Sequence, residues 1–71
     1  MEILVDLEGF RNKRNQTQQA AGAKIDIDQR QWSRYENGIN QLPIKYLIEI
    51  CKNFDVSAEE LYEMLKLKEK E

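Results

Sequence analysis

Apolar residues recur along the chain at intervals of three and four, separated by short polar breaks, which is the spacing of amphipathic helices. Leu4, Leu7 and Phe10 fall on one face of a first helix, predicted from about Ile3 to Arg14. Arg11 and Arg14 sit near its end, where positive charge suits the helix dipole, and Asn15 follows, a residue that tolerates left-handed backbone. Thr17 is the cap of a second helix, Gln18 to about Ile25, which is rich in small residues at Ala20, Ala21, Gly22 and Ala23. A break at Ile25-Asp26-Ile27 leads to Asp28, the cap of a third helix that ends near Tyr35. A fourth begins near Leu42-Pro43, with Pro suited to a first turn, and carries the apolar stripe Ile44, Leu47, Ile48, Cys51 and Phe54. Ser57 to Glu60 has the form of a capping box, and Ala58, Leu61, Tyr62 and Leu65 share one face of the fifth helix it opens. The stripe is expected to complete the core, while Tyr62, Met64 or Leu65 are candidates for meeting a second copy.

The middle of this array carries chemistry. Thr17 to Gly38 predicts a short helix, a tight turn and a second short helix, each started by a side-chain oxygen that satisfies free backbone N–H groups. The second of these helices presents Gln29, Arg30, Gln31, Ser33 and Arg34. Amide and guanidinium groups make paired hydrogen bonds to the edges of adenine and guanine in the major groove. The pattern is that of a helix-turn-helix domain docking on double-stranded DNA.

Length and composition narrow the field. Seventy-one residues make one small domain with a modest core. Cys51 is the only cysteine and there is no histidine, which excludes a disulfide scaffold and a zinc site, and no cofactor is implied. Cys51 is expected in the core rather than as a reactive thiol. No Gly-rich phosphate loop and no nucleophile with a recognisable base is present, so an enzyme is not expected. The run Ile3-Leu4-Val5 is too short for a secretory signal and is interrupted by Asp6; no apolar run has membrane length, and a cytoplasmic setting is expected.

The net charge of −2 is unevenly spread. Met1 to Glu8 has Glu2, Asp6 and Glu8 and no base. Gly9 to Arg34 has Arg11, Lys13, Arg14, Lys24, Arg30 and Arg34 against Asp26 and Asp28. The remainder is acidic. Phosphate contacts act locally and are screened within about 10 Å, so position matters more than the total, although the low total predicts weak non-specific binding.

Three stretches, Thr17-Gln18, the hexapeptide SRYENG from Ser33 to Gly38, and LPIKYLIEICKNFDVSAEELY from Leu42 to Tyr62, resemble the Xre/Cro-type helix-turn-helix family of phage and bacterial repressors. The resemblance runs from Leu7 to Leu61 without insertion or deletion. It implies an all-α, compact five-helix, lambda-repressor-like domain over residues 1–66, with its motif at about 17–36 and a charged, solvated tail at 67–71. It places Thr17 and Gln18 at a phosphate, Gln29 and Arg30 at bases, Arg34 at a base or phosphate one turn later, and Asn37, with Asn40, at phosphates across the groove. Gln31 and Ser33 lie on or beside the same face. It also pairs Arg11 with Glu36; the alternative is a solvated Arg11.

Departures from the family pattern are Asn15, Asp26 and Asp55 where Gly is usual, Gln16 where an apolar residue is usual, Ala21 and Gly22 where Leu and Ala are usual, and the acidic cap Asp28, which suits DNA only if it faces away from the phosphates. Trp32 stands at a core position and is expected to fill the volume left by Ala21 and Gly22; the alternative is an outward indole stacking on a base or partner. The resemblance further implies a transcriptional regulator, a repressor above all, acting as a symmetric homodimer on a palindromic operator. The rival is a protein-interaction module or antitoxin that uses the same fold and its acidic surface to bind a partner protein.

Overall fold

Asp6 starts the first helix. Its carboxylate accepts a hydrogen bond from the Gly9 amide at 3.2 Å, and helix α1 runs Leu7–Lys13. The computed structural model describes residues 2–68 and contains, in order, β1 (Glu2–Val5), α1, α2 (Gln18–Lys24), α3 (Gln29–Glu36), α4 (Ile44–Asn53), α5 (Ala58–Met64) and β2 (Leu65–Lys68). The five helices are those the apolar spacing predicts. Two boundaries are corrected. Ile3–Val5, expected as the start of the first helix, belongs to the strand Glu2–Val5, which pairs antiparallel with Leu65–Lys68, Val5 opposite Leu65 and Glu2 opposite Lys68. The tail drawn from residue 67, with its solvated alternation beginning at Leu65, therefore starts inside a strand; the rest of it, residues 69–71, lies outside the described residues. The Asp6 amide donates to the Met64 carbonyl at 2.8 Å, which ties the first cap to the end of α5.

The caps form as the sequence predicts. The Thr17 hydroxyl accepts from the Ala20 amide at 3.0 Å, Asp28 from Gln31 at 2.8 Å and Ser57 from Glu60 at 3.1 Å. The capping box at Ser57 is only half made, because the Glu60 carboxylate turns to Arg14 instead. Asn15, Asp26 and Asp55 all take positive φ, near 54–64°, at the ends of α1, α2 and α4. These polar residues stand where glycine would be easiest, and their short side chains tolerate the left-handed region.

The core is built on Trp32, Leu7 and Ile50, with Phe10, Ala21, Ile25 and Met64 around them. Phe10 meets Phe54 edge to face at 5.0 Å. Trp32 is fully buried, as expected, and Ala21 belongs to the same cluster. Gly22, however, answers to the turn rather than to the indole. A Cβ there would lie 2.8 Å from the Ile27 carbonyl oxygen and 3.3 Å from that of Asp28. The missing side chain lets the start of α3 fold against α2.

Helix α4 turns differently from the expected stripe. Ile50 is buried and Tyr46 and Phe54, four residues either side, pack on the core, while Ile44 is 68% and Ile48 51% exposed. Leu47 and Cys51 are half-buried and lie outside the buried cluster. Met64 is buried, so it is not available to a second copy, whereas Tyr62 is 80% exposed.

Candidate nucleic-acid interface

Helices α2 and α3 meet across the turn Ile25–Asp28, where the Ile27 amide donates to the Gly22 carbonyl at 3.0 Å. The Asp28 cap fixes the start of α3, and Trp32 anchors its inner side. With position 32 inward, positions 30 and 34 point outward and positions 29 and 33 lie on one flank of a helix of 3.6 residues per turn. Gln18, Gln19 and Ala23 of α2 and Ile27, Asp28, Gln29, Arg30, Ser33 and Arg34 line one open concavity. Gln29, Arg30 and Arg34 are exposed, and neither guanidinium has an ionic or hydrogen-bonded partner among the described residues.

The other arginines are committed inside the fold. Arg11 Nε donates to Glu36 Oε1 and its Nη2 to Oε2, both at 3.0 Å, and its Nη1 donates to the Gln16 carbonyl at 2.9 Å. The expected Arg11–Glu36 pair is therefore present and largely shielded. Arg14 grips Glu60 through both nitrogens, at 2.5 and 2.8 Å, and lies 4.1 Å over the Phe10 ring. Lys13 faces Glu63 at 3.5 Å on the surface, and the Lys24 ammonium lies 5.5 Å over the Phe54 ring. Three of the six bases of residues 9–34 are thus committed to internal pairs. On the concavity itself two cations, Arg30 and Arg34, stand against Asp28.

Glu36 is the hub behind this face. Besides Arg11 it accepts from Trp32 Nε1 at 2.8 Å and from Gln18 Nε2 at 3.2 Å. The Arg11 hydrogen bond holds the Glu36 carboxyl below its ordinary range, against an opposing effect of burial, and the Trp32 and Gln18 donors add to the lowering. The same carboxylate raises Arg11, as Glu60 raises Arg14. One carboxylate therefore links α1, α2 and α3 and fixes the two helices that form the concavity.

The remaining predicted residues are placed as follows. Thr17 is exposed and its hydroxyl serves as the α2 cap. Gln18 borders the concavity, and its amide nitrogen gives one of its two hydrogens to Glu36. Gln31 is turned aside: half-buried, it donates to the Tyr35 hydroxyl at 2.6 Å and does not line the concavity. Asn37 is exposed and donates to the Ser33 hydroxyl at 3.1 Å. Sequence reasoning missed Gln19 and Ala23, which share the α2 side of the concavity. The available signal was their spacing, four residues apart on the side of α2 away from Ala21 and Ile25.

Two short helices joined by a tight turn, the second held by a buried indole and presenting two guanidinium groups without internal partners, define a helix-turn-helix DNA-binding domain. The helix-turn-helix family profile matches residues 7–61, and the chain belongs to that family, of the Xre/Cro type. This makes it a DNA-binding regulator. No curated protein and no solved structure matches the chain. Among the described residues no helix is long and apolar enough to cross a membrane.

Proposed function

We propose that this regulator is a cytoplasmic repressor that binds a short palindromic duplex as a symmetric dimer, with α3 of each copy in the major groove. The supporting observation is the outward face of α3. Arg30 and Arg34 share it, with Gln29 and Ser33 on its flank, and its two guanidinium groups are the ones left without partners while Arg11 and Arg14 are internally bound. Arg30 and Gln29 at the start of the helix read base edges, and a bidentate Arg matches guanine O6 and N7. Arg34 reads a base or holds a phosphate one turn later. Thr17, Gln18 and Asn37 set the register on phosphates, contacts that carry no sequence information. Two such helices enter successive major grooves about 34 Å apart. A dimer seated in both grooves excludes other proteins from that stretch of duplex, which is the simplest route to repression.

The test is selection of bound sequences from a random duplex pool, repeated with Arg30→Ala. A base-reading Arg30 gives relaxed preference at one position of each half-site and a loss of about 1–3 kcal/mol. Uniform weakening across all sequences makes Arg30 a phosphate contact. No selected sequence even at low salt rejects DNA recognition by α3. It favours the second reading, a domain that binds a partner protein through α5, where exposed Tyr62 stands between Glu59 and Glu63.

A further inference from the structure

Asp28 is an acid on a face that meets a polyanion. Its expected place is away from the phosphates, yet it is exposed and lines the concavity beside Gln29 and Arg30. Its backbone is extended, with φ −85° and ψ 172°, so the residue stands ahead of the first turn of α3 and its side chain closes that end of the helix. One carboxylate oxygen, Oδ1, accepts from the Gln31 amide at 2.8 Å. Among the described residues the other oxygen meets no donor, and neither Arg30 nor Arg34 pairs with it.

An ionised carboxylate accepts hydrogen bonds and donates none. Water satisfies the second oxygen while the protein is free. A recognition helix presents its N-terminal residues to base edges, so docking strips that water away and leaves the oxygen dependent on the duplex. A charged acceptor left unmet there is more costly than a neutral one. Phosphates have no hydrogen to give. Of the groups that bases expose in the major groove, only the adenine N6 and cytosine N4 amines donate. Adenine sets its N7 acceptor beside the amine, which turns a lone pair toward the carboxylate; cytosine has no acceptor on that side. The groove is about 12 Å wide, so a carboxylate on its floor stands clear of the phosphates along its walls.

We infer that Asp28 is a specificity-determining residue whose second carboxylate oxygen accepts from the N4 amine of a cytosine in each half-site. The inference rests on the docking of α3 proposed above and names a base which that docking meets. The half-site then carries a C·G pair under the start of α3. Arg30, two residues on, has the opposite character: it donates and never accepts, which suits guanine. The carboxylate also acts against other sequences. On a duplex that offers no amine it is stranded between phosphates, so wrong sites are rejected as well as right ones held. That serves a face with few cations, where affinity for DNA in general is low.

The test uses a variant that keeps the cap. Asn starts a helix as well as Asp does, and its amide both accepts and donates, so Asp28→Asn folds with an unchanged thermal transition by circular dichroism. Selection from a random duplex pool fixes a cytosine at one position of the half-site for the wild-type chain. Asp28→Asn relaxes that position alone, and it binds unrelated duplex more tightly at low salt because a negative charge is gone. In a selected duplex, exchanging this C·G pair for T·A weakens the wild-type chain roughly tenfold or more and Asp28→Asn much less. N4-methylcytosine, whose methyl takes the place of the hydrogen facing the groove, weakens the wild-type chain to a similar degree, a result that depends on no variant. Cytosine retained by Asp28→Asn, uniform tightening with no position relaxed, or N4-methylcytosine bound as tightly as cytosine overturns the inference. Each of those leaves recognition by α3 standing if Arg30→Ala still relaxes its own position. A wild-type chain that selects no sequence rejects recognition by α3, and this inference with it.

Discussion

Arg11 of α1 clasps Glu36 at the end of α3 through two parallel hydrogen bonds of 3.0 Å, with Glu36 only 5% and Arg11 15% exposed in their side chains. A pair this shielded differs from a surface ion pair: removing one partner strands the other's charge, which costs about 3 kcal/mol. Glu36→Ala is expected to be the worse of the two truncations, because it also orphans Trp32 Nε1 and Gln18 Nε2. Arg11→Met leaves the carboxylate those two donors. Chemical denaturation of both single variants and the double variant gives the coupling. A coupling near zero would mean the pair is solvent-screened.

Acid should weaken the fold through the same residue. The Glu36 carboxyl is held below its ordinary value of 4.5 by Arg11, and Glu60 is held below its own by Arg14. A carboxyl depressed in the folded state contributes stability that is fully present above its unfolded value. That contribution is lost as pH falls from about 4.5 through the folded value. Denaturant midpoints should therefore be level from neutrality to about pH 5 and fall below it. In Glu36→Gln the fall should be shallower, since one of the two linked groups is gone.

Much of this fold was legible because its signals are local. The caps at Thr17, Asp28 and Ser57 and the left-handed residues Asn15, Asp26 and Asp55 act on backbone within three residues of themselves. The inward Trp32 followed from the resemblance, which has an apolar core residue at that place. What failed depended on distant partners. Arg14 and Glu60 are 46 residues apart, so nothing near either announces the pair, and Glu60 fitted a local capping box equally well. Ile3-Leu4-Val5 is a short apolar run that suits a helix or a strand, and its partner strand, Leu65–Lys68, decides the matter. In α4, apolar residues cover more than one side, and the side that turns inward is set by what the helix meets. On the candidate site, the outward α3 residues and the sideways position of Gln31 were legible, but its bond to Tyr35 was not.

Gly22→Ala is a case in which two effects oppose and magnitudes decide. Alanine gains about 1 kcal/mol of helix propensity over glycine. Against it, the new methyl would lie 2.8 Å from the Ile27 carbonyl oxygen. That backbone is held by the Ile27 amide bond to the Gly22 carbonyl, so it cannot yield cheaply. Overpacking costs of this kind run to about 1–3 kcal/mol. The expected net is destabilisation by up to about 2 kcal/mol, a lowering of Tm by up to roughly 15 °C for a domain this size. A raised Tm would show that the turn relaxes freely.

Trp32 supplies a probe of whether the domain docks as a rigid body. Its ring is fully buried and its indole N–H is bonded to Glu36. Emission of the free protein should be blue-shifted and poorly quenched by acrylamide. If α3 binds DNA through its outward face, saturating duplex should leave both properties unchanged. A large shift on binding would place the indole at the interface or reveal repacking of α3.

Salt dependence tests how many cations the fold leaves for phosphate. Arg11 and Arg14 are bound to Glu36 and Glu60, and Lys13 stands opposite Glu63. Of the bases between residues 9 and 34, this leaves Lys24, Arg30 and Arg34. Each phosphate neutralised contributes about −0.9 to the slope of log K against log salt. Three cations all on phosphates would give a slope of about −3 per half-site, and with Arg30 on a base it falls to about −2, shallow for a DNA-binding domain. Lys24→Ala or Arg34→Ala should each reduce it by about one if they touch phosphate, and Arg14→Gln should not change it. Fluorescence anisotropy with a labelled half-site, from about 50 to 200 mM salt, measures the slope. A slope of about −4.5, made shallower by about one in Arg14→Gln, would mean that Arg11 and Arg14 leave their carboxylates on binding, and the internal pairs would then be a reserve of charge released by the duplex.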